Sequence, residues 1–269
     1  MKDVDCVVHA AYGASEAMMM QCKTLLAAMD EAGVCQLIHF SSIAVHGDAT
    51  GTIDEDVRSL TPNDGYGAAK IACEAEVRVW AERSGAAGRH ALILRPGIVY
   101  GVGSPFWIDK MGERIRRGVW GTFGADGEGI AALVHVDDVA DLVVAAAARM
   151  TGPARTGLPP VMTAHVTGPE CPNWNAYFSA LAVALGVTLT DLDPATIRSR
   201  QALAIPAKIW RKLGLPGGAG AALAPTPGEI ALFGRKADYR MAAAPALFGY
   251  APRIGLDEGL KRSLAQPKS

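Results

Sequence analysis

The 269-residue chain has almost no net charge: 26 Lys and Arg against 27 Asp and Glu leave a formal -1. Without a cationic excess there is no electrostatic footprint for nucleic acid or an anionic membrane, and neither is expected as a partner. Long apolar runs are missing too. None reaches the ~18 residues of a membrane span, and Met18-Met19-Met20 falls far short. The opening Met1-Lys2-Asp3-Val4-Asp5 places carboxylates where a secretory leader is apolar, and no cleavage pattern follows. Cys6, Cys22, Cys35, Cys73 and Cys171 are odd in number and contain no Cys-x-x-Cys spacing. They read as buried or incidental thiols in a reducing cytoplasm, and no metal site is expected from them. Ser42 lacks the Gly-x-Ser-x-Gly elbow of a serine hydrolase.

What is present is a chain 50% hydrophobic, long enough to bury a sizeable core. Short, nearly continuous apolar runs at Val4–Ala11, Gln36–Phe40, His90–Arg95 and Val161–Thr167 suit parallel strands covered on both faces. Helical patterns alternate with them. Ser15–Ala32 repeats Ala17, Met20, Thr24, Leu25, Ala28 and Met29 at helical spacing, with the methionines as core filler and Gly33 as a cap. Further helices are expected from Tyr66 to about Arg83, over Trp107–Arg117, over Val139–Ala148, and from Trp174 to near Gly186. Asp48–Asp64 reads as a polar loop on the rim of a site. Leu213–Gly228, rich in Pro, Gly and Ala, reads as a substrate lid, a partner-facing helix pair or a loosely packed lobe covering the core.

The chemistry concentrates between Gln36 and Lys70. Tyr66 and Lys70 lie one helical turn apart, so the ammonium sits beside the phenol. An isolated tyrosine, with a pKa near ~10, is a poor acid-base group at neutral pH. A neighbouring cation favours its phenolate. A serine hydroxyl at the end of the Gln36–Phe40 strand, from Ser41 or Ser42, would complete a proton-transfer set for a carbinol or carbonyl. Tyr-x-x-x-Lys alone recurs by chance; the flanking residues give it weight.

His39-Phe40-Ser41-Ser42-Ile43-Ala44-Val45-His46-Gly47, Gly65-Tyr66-Gly67-Ala68-Ala69-Lys70, Leu94-Arg95-Pro96-Gly97-Ile98-Val99-Tyr100-Gly101 and Val134-His135-Val136-Asp137-Asp138-Val139-Ala140 together resemble the extended short-chain dehydrogenase/reductases, epimerase/dehydratase branch. The resemblance implies a Rossmann-like, doubly wound parallel α/β sheet with a smaller C-terminal substrate lobe. It assigns residues 1–150 to the dinucleotide-binding part, with a piece of the lobe at about 104–130, and 151–269 mainly to the lobe and the closing segment. It implies Ser42, Tyr66 and Lys70 as catalytic residues. Contacts to NAD or NADP would come from Ala10, Ala11, Tyr12, Ser41, Tyr66, Lys70, Pro96, Gly97, Ile98 and Val99. A homodimer paired through the helices after Ser15 and Tyr66 is also implied.

The chain departs from the family pattern in several places. The glycine-rich turn that cradles a pyrophosphate, and the residue about 20 positions on that selects the cofactor, are not in this sequence. An N-terminally incomplete sheet is therefore expected, with Val4–Ala11 as an edge strand. Relatives carry Asn where Met stands before Gln21-Cys22-Lys23-Thr24. Sugar-nucleotide dehydratases carry Asp-Glu where this chain has Ile43-Ala44. Relatives that bind nucleotide sugars carry a phosphate-holding Arg where it has Ile130-Ala131-Ala132-Leu133, which points to a smaller or more apolar substrate. Arg95, His135, Asp137 and Asp138 read as structural. His46 reads as a second acid or as a loop histidine bonded to backbone. The function expected is NAD(P)-dependent oxidation or reduction of an alcohol or ketone. The alternatives are a sugar epimerase using the same site and a non-catalytic binding relative.

Overall fold

The computed structural model describes residues 3–57, 65–83, 88–202 and 223–265. In chain order the main elements are β1 (Val7–His9), α1 (Ser15–Ala32), β2 (Gln36–Phe40), β3 (Gly51–Ile53), α2 (Gly65–Glu82), β4 (His90–Pro96), β5 (Ile98–Tyr100), α3 (Met111–Arg116), β6 (Gly121–Thr122), β7 (Leu133–His135), α4 (Val136–Thr151), β8 (Val161–Val166) and α5 (Trp174–Ala184). Short helices Pro194–Ala202, Pro227–Phe233, Ala243–Phe248 and Leu256–Ala265 follow. The described residues form two compact units, each drawing on several stretches of chain: 1–98, 137–169 and 238–253 in the first, and the remainder in the second.

The first unit is built on a four-stranded parallel sheet in the order β1-β2-β4-β8. Leu37 is in register with Val7 and with Ala91, and Ala91 with Val161, so these residues form one row across the sheet. Strand side chains alternate between faces. Leu37, Ala91 and Ile93 therefore share a face, and they pack with Met18, Cys22, Leu26 and Met29 of α1 and Cys73, Val77, Trp80 and Ala81 of α2. Trp80 ties the two helices together, its indole N–H donating to Asp30 Oδ1 at 2.7 Å. Ile38, Leu92 and Leu94, on the opposite face, have no exposed surface. Burial on both faces explains why these strands read as continuous apolar runs.

The second unit centres on an aromatic cluster. Trp120, Phe123, Trp174, Phe178 and Phe233 pack with ring centroids 4.7–6.0 Å apart. The Arg114 guanidinium lies 4.1 Å from the Trp120 ring and pairs with Glu229 at 2.9 Å. A Cβ on Gly129 would come within 2.4 Å of the Phe233 carbonyl, so only glycine fits there.

Some expectations shift. The buried stripe of α1 is Met18, Cys22, Leu26 and Met29, while Met20 is 67% exposed. The i, i+4 spacing that includes Cys22, a small hydrophobe in packing terms, sets the buried face. Of the three methionines only Met18 fills the core. The polar stretch after Asp48 contains a strand, Gly51–Ile53, whose partner is the distant Ala237–Tyr239. A wide helical turn over Pro105–Lys110 precedes α3, where one longer helix was expected. Most of Leu213–Gly228 lies outside the described residues; its end forms the N-terminus of Pro227–Phe233, with a Thr226–Glu229 capping box.

Leu92→Ala is expected to lower the unfolding free energy by about 2–5 kcal/mol, since Leu92 is fully enclosed. Val144→Ala on the outer side of α4, where Val144 is 68% exposed, is expected to change it by less than about 0.5 kcal/mol. Urea denaturation of the two variants checks both.

Candidate active site

The carboxyl end of β2 and the first turns of α2 carry the candidate catalytic residues. Successive residues after Phe40 point to opposite sides. Ser41 is buried and its hydroxyl donates to Glu74 Oε1 at 2.5 Å. Ser42 is half-buried, extended in backbone, and its Oγ accepts from the Ala44 N–H at 3.1 Å, capping a single 3-10 turn over Ile43–His46. Because that bond uses an oxygen lone pair, the Ser42 hydroxyl proton can donate to a further acceptor.

Tyr66 lies in the first turn of α2 and is half-buried. Lys70, one turn on, is only 5% exposed, and its Nζ lies 5.7 Å from the Tyr66 ring centroid. The same Nζ donates to the Phe40 carbonyl at 2.7 Å. Lys70 thus binds the start of α2 to the end of β2, two residues before Ser42. Burial lowers the Lys70 pKa from its ordinary range, opposed by the neighbouring Cys73, Cys22 and Glu74.

The other expected contact residues lie at the ends of β1 and β4 and just beyond them. Ala10, Ala11 and Tyr12 leave the end of β1 with exposed side chains, and the Tyr12 ring sits 5.9 Å from that of Tyr66. Pro96 is buried at the end of β4. Gly97 and Ile98 follow half-buried, the Gly97 N–H donating to the Val166 carbonyl at 2.9 Å. Val99 begins the chain's passage into the second unit. Small exposed residues at one strand end, a half-buried Gly-Ile at another and a lysine with further N–H donors fit the nicotinamide-ribose end of a dinucleotide. Ser41 differs in kind. Its hydroxyl is engaged by Glu74.

A buried polar network supports the site. Arg95, from β4, grips Glu74 of α2 through two bonds, Nε to Oε1 at 2.9 Å and Nη2 to Oε2 at 2.7 Å. Burial pushes the Glu74 carboxyl up, but the bonds and charge of Arg95, with Ser41 and Arg78, outweigh it and hold the pKa below the usual value. Beside Arg95, His46 Nε2 meets His165 Nε2 at 3.0 Å, and His165 Nδ1 donates to the Arg240 carbonyl at 2.8 Å. The expected backbone bond of His46 is therefore replaced by a buried histidine pair, which sequence spacing gives no means of finding. On the same unit, Asp138 is buried and accepts from the Tyr250 hydroxyl at 2.8 Å and the Arg253 N–H at 2.9 Å.

The sheet order, the parallel registers and the helices between the strands define an α/β protein of the Rossmann type. The profile of the NAD dependent epimerase/dehydratase family matches residues 2–156, and the chain belongs to that family. A UDP-glucose 4-epimerase from Vibrio cholerae is 29% identical over 116 residues, 42% of this chain; the match spans about a third of that relative's length, 34%. Among solved structures, MoeE5 in complex with UDP-glucose and NAD superposes with a TM-score of 0.69 at 22% identity, covering 98% of this chain and 79% of that one. UDP-glucose 4-epimerase from Thermotoga maritima with UDP-glucose gives 0.70 at 20% identity, over 97% and 76%. RMD from Pseudomonas aeruginosa with NADPH gives 0.68 at 17%, over 98% and 81%.

Three buried histidines give the site a pH signature. Burial first, then nearby positive charge, pushes His39 down to about 3 and His46 to about 4. Burial also pushes His165 to about 4, against the Arg240 carbonyl bond. Each stays neutral when folded but binds a proton when unfolded near 6.5, so stability is lost as pH falls below that value. Unfolding free energy measured across acid pH is expected to fall with a slope approaching about three protons near pH ~5. His165→Asn is expected to make that slope shallower.

Proposed function

We propose that the chain is an NAD(P)-dependent oxidoreductase acting on an alcohol or ketone, with Tyr66 as acid-base group, Lys70 as its electrostatic partner and Ser42 as hydrogen-bond donor to the reacting oxygen. The observation that carries this is Lys70. A buried ammonium 2.7 Å from the Phe40 carbonyl and 5.7 Å from the Tyr66 ring centroid supports this reading, because a nearby cation favours a phenolate. The nicotinamide, when bound, supplies or accepts the hydride. Ser42 orients and polarises the substrate oxygen through its hydroxyl proton. Tyr66 gives that oxygen its proton in reduction, or removes it in oxidation. The further N–H donors of Lys70 bind the ribose hydroxyls, and Gly97 and Ile98 offer a small, apolar surface to the ring.

A sugar epimerase is the second reading, favoured by the Vibrio cholerae relative. It uses the same three residues for transient oxidation. Ile130-Ala131-Ala132-Leu133 offers no cation for a nucleotide phosphate, which supports a smaller or more apolar substrate under either reading. The apolar outer residues of α1 and α2, Met19, Met20 and Val79, support pairing of two copies through these helices.

Titration of NADH and NADPH into the chain, followed by turnover on a panel of alcohols, ketones and free sugars, tests the proposal. Tyr66→Phe is expected to keep cofactor binding and lose about 100-fold or more in rate. Lys70→Met is expected to weaken both. Net accumulation of reduced cofactor separates dehydrogenation from epimerisation. Saturable cofactor binding with a Tyr66→Phe rate equal to wild type would contradict the assignment.

A further inference from the structure

The sheet places two histidines side by side where one electron-pair acceptor serves both. His9 of β1 and His39 of β2 are register partners, and their Nδ1 atoms lie 2.9 Å apart. Cys22, on the buried stripe of α1, faces the same point, and the ligand atoms of His9, Cys22 and His39 lie within 4.8 Å of one another. Cys22 and His39 are each 1% exposed, while His9 is half-buried and opens the cluster to solvent. In two neutral imidazoles at this distance one Nδ1–H donates to the other Nδ1, and a metal ion can take that proton's place between the two nitrogens.

We propose that His9, His39 and Cys22 form a binding site for one thiophilic metal ion, Cu(I). Two imidazole nitrogens and a thiolate are the donor types that hold copper and zinc. Charge and ligand number separate the two. Lys70 is a neighbouring cation that acts on His9, His39 and Cys22 alike. Cu(I) with one thiolate gives a neutral centre beside it, whereas Zn(II) leaves a net positive one. Three donors also complete a trigonal Cu(I) site, whereas zinc takes four. Little movement is required: metal–nitrogen bonds of ~2.0 Å set nitrogens about 3.3 Å apart in a tetrahedral centre, and somewhat further in a trigonal one. The Cys22 sulfur, within 4.8 Å of both histidines' ligand atoms, must come closer and give up its contact with the Cys73 carbonyl. The Cys22 thiol is raised by its bond to Cys73 and by burial, so binding must expel its proton, which a soft cation does.

Anaerobic titration of Cu(I) against a chromophoric chelator tests the site in the full chain with Cys6, Cys35 and Cys171 replaced by Ser. One Cu(I) per chain is expected, with X-ray absorption showing two nitrogens and one sulfur. His9→Asn, at the half-buried position, and Cys22→Ser are each expected to weaken binding beyond the about 10–100-fold that outer-shell changes cause. Cys73→Ser is expected to retain it, and circular dichroism establishes that each variant is folded. Binding that survives His9→Asn, vanishes with Cys73→Ser or shows sulfur ligands alone would assign the metal to the Cys22–Cys73 thiol pair and overturn the proposal. So would failure to compete with the chelator.

Discussion

The grip of Arg95 on Glu74 is the contact on which the site depends. It joins β4 to α2 inside the core, with Arg95 only 2% exposed and Glu74 4%. Glu74 also takes the Ser41 hydroxyl, so β2 is fixed by the same carboxylate. An ion pair this deep contributes little net stability over a well-packed apolar pair, because two desolvation costs offset the attraction. Its effect is on geometry. A fork of two parallel bonds tolerates little sliding or rotation of β4 against α2.

From that fixed point the site follows by strand alternation and helical spacing. Ser41 turns inward to Glu74, which leaves Ser42 on the other side at the strand end. Lys70 is one turn before Glu74 on α2 and reaches back to the Phe40 carbonyl, and Tyr66 is one turn before Lys70. Three residues at i, i+4 and i+8 on one helix therefore meet one strand end in succession: as core anchor, as buried cation and as half-buried phenol. Moving the strand by one residue so that Phe40 took the place of Ser41 would remove the hydroxyl from Glu74.

Much of this was legible in the sequence because it is local. The strands are buried on both faces and so read as apolar runs; α1 ends at Gly33, which adopts a left-handed conformation. Tyr66 and Lys70 are four apart, and their relation needs only helix geometry. What could not be read depends on distant partners. Cys22 falls outside the helical repeat read from the sequence because the helix admits more than one stripe, and only the sheet beneath decides between them. Gly51–Ile53 looked like loop because its strand partner lies near the far end of the chain. The His46–His165 pair joins the turn after β2 to β8, and the His9–His39–Cys22 cluster joins β1, β2 and α1; spacing along the chain encodes neither.

The most direct test of the account is a double-mutant cycle on Glu74 and Arg95, read by urea denaturation. Glu74→Gln or Arg95→Met alone leaves a charge buried without its partner and is expected to cost about 3–5 kcal/mol. The double variant is expected to be markedly more stable than the sum of the two losses implies, because neither charge remains. Single losses that add to within about 0.5 kcal/mol would show the two groups to be energetically independent. The view that this contact holds β2, α2 and β4 in register would then be wrong.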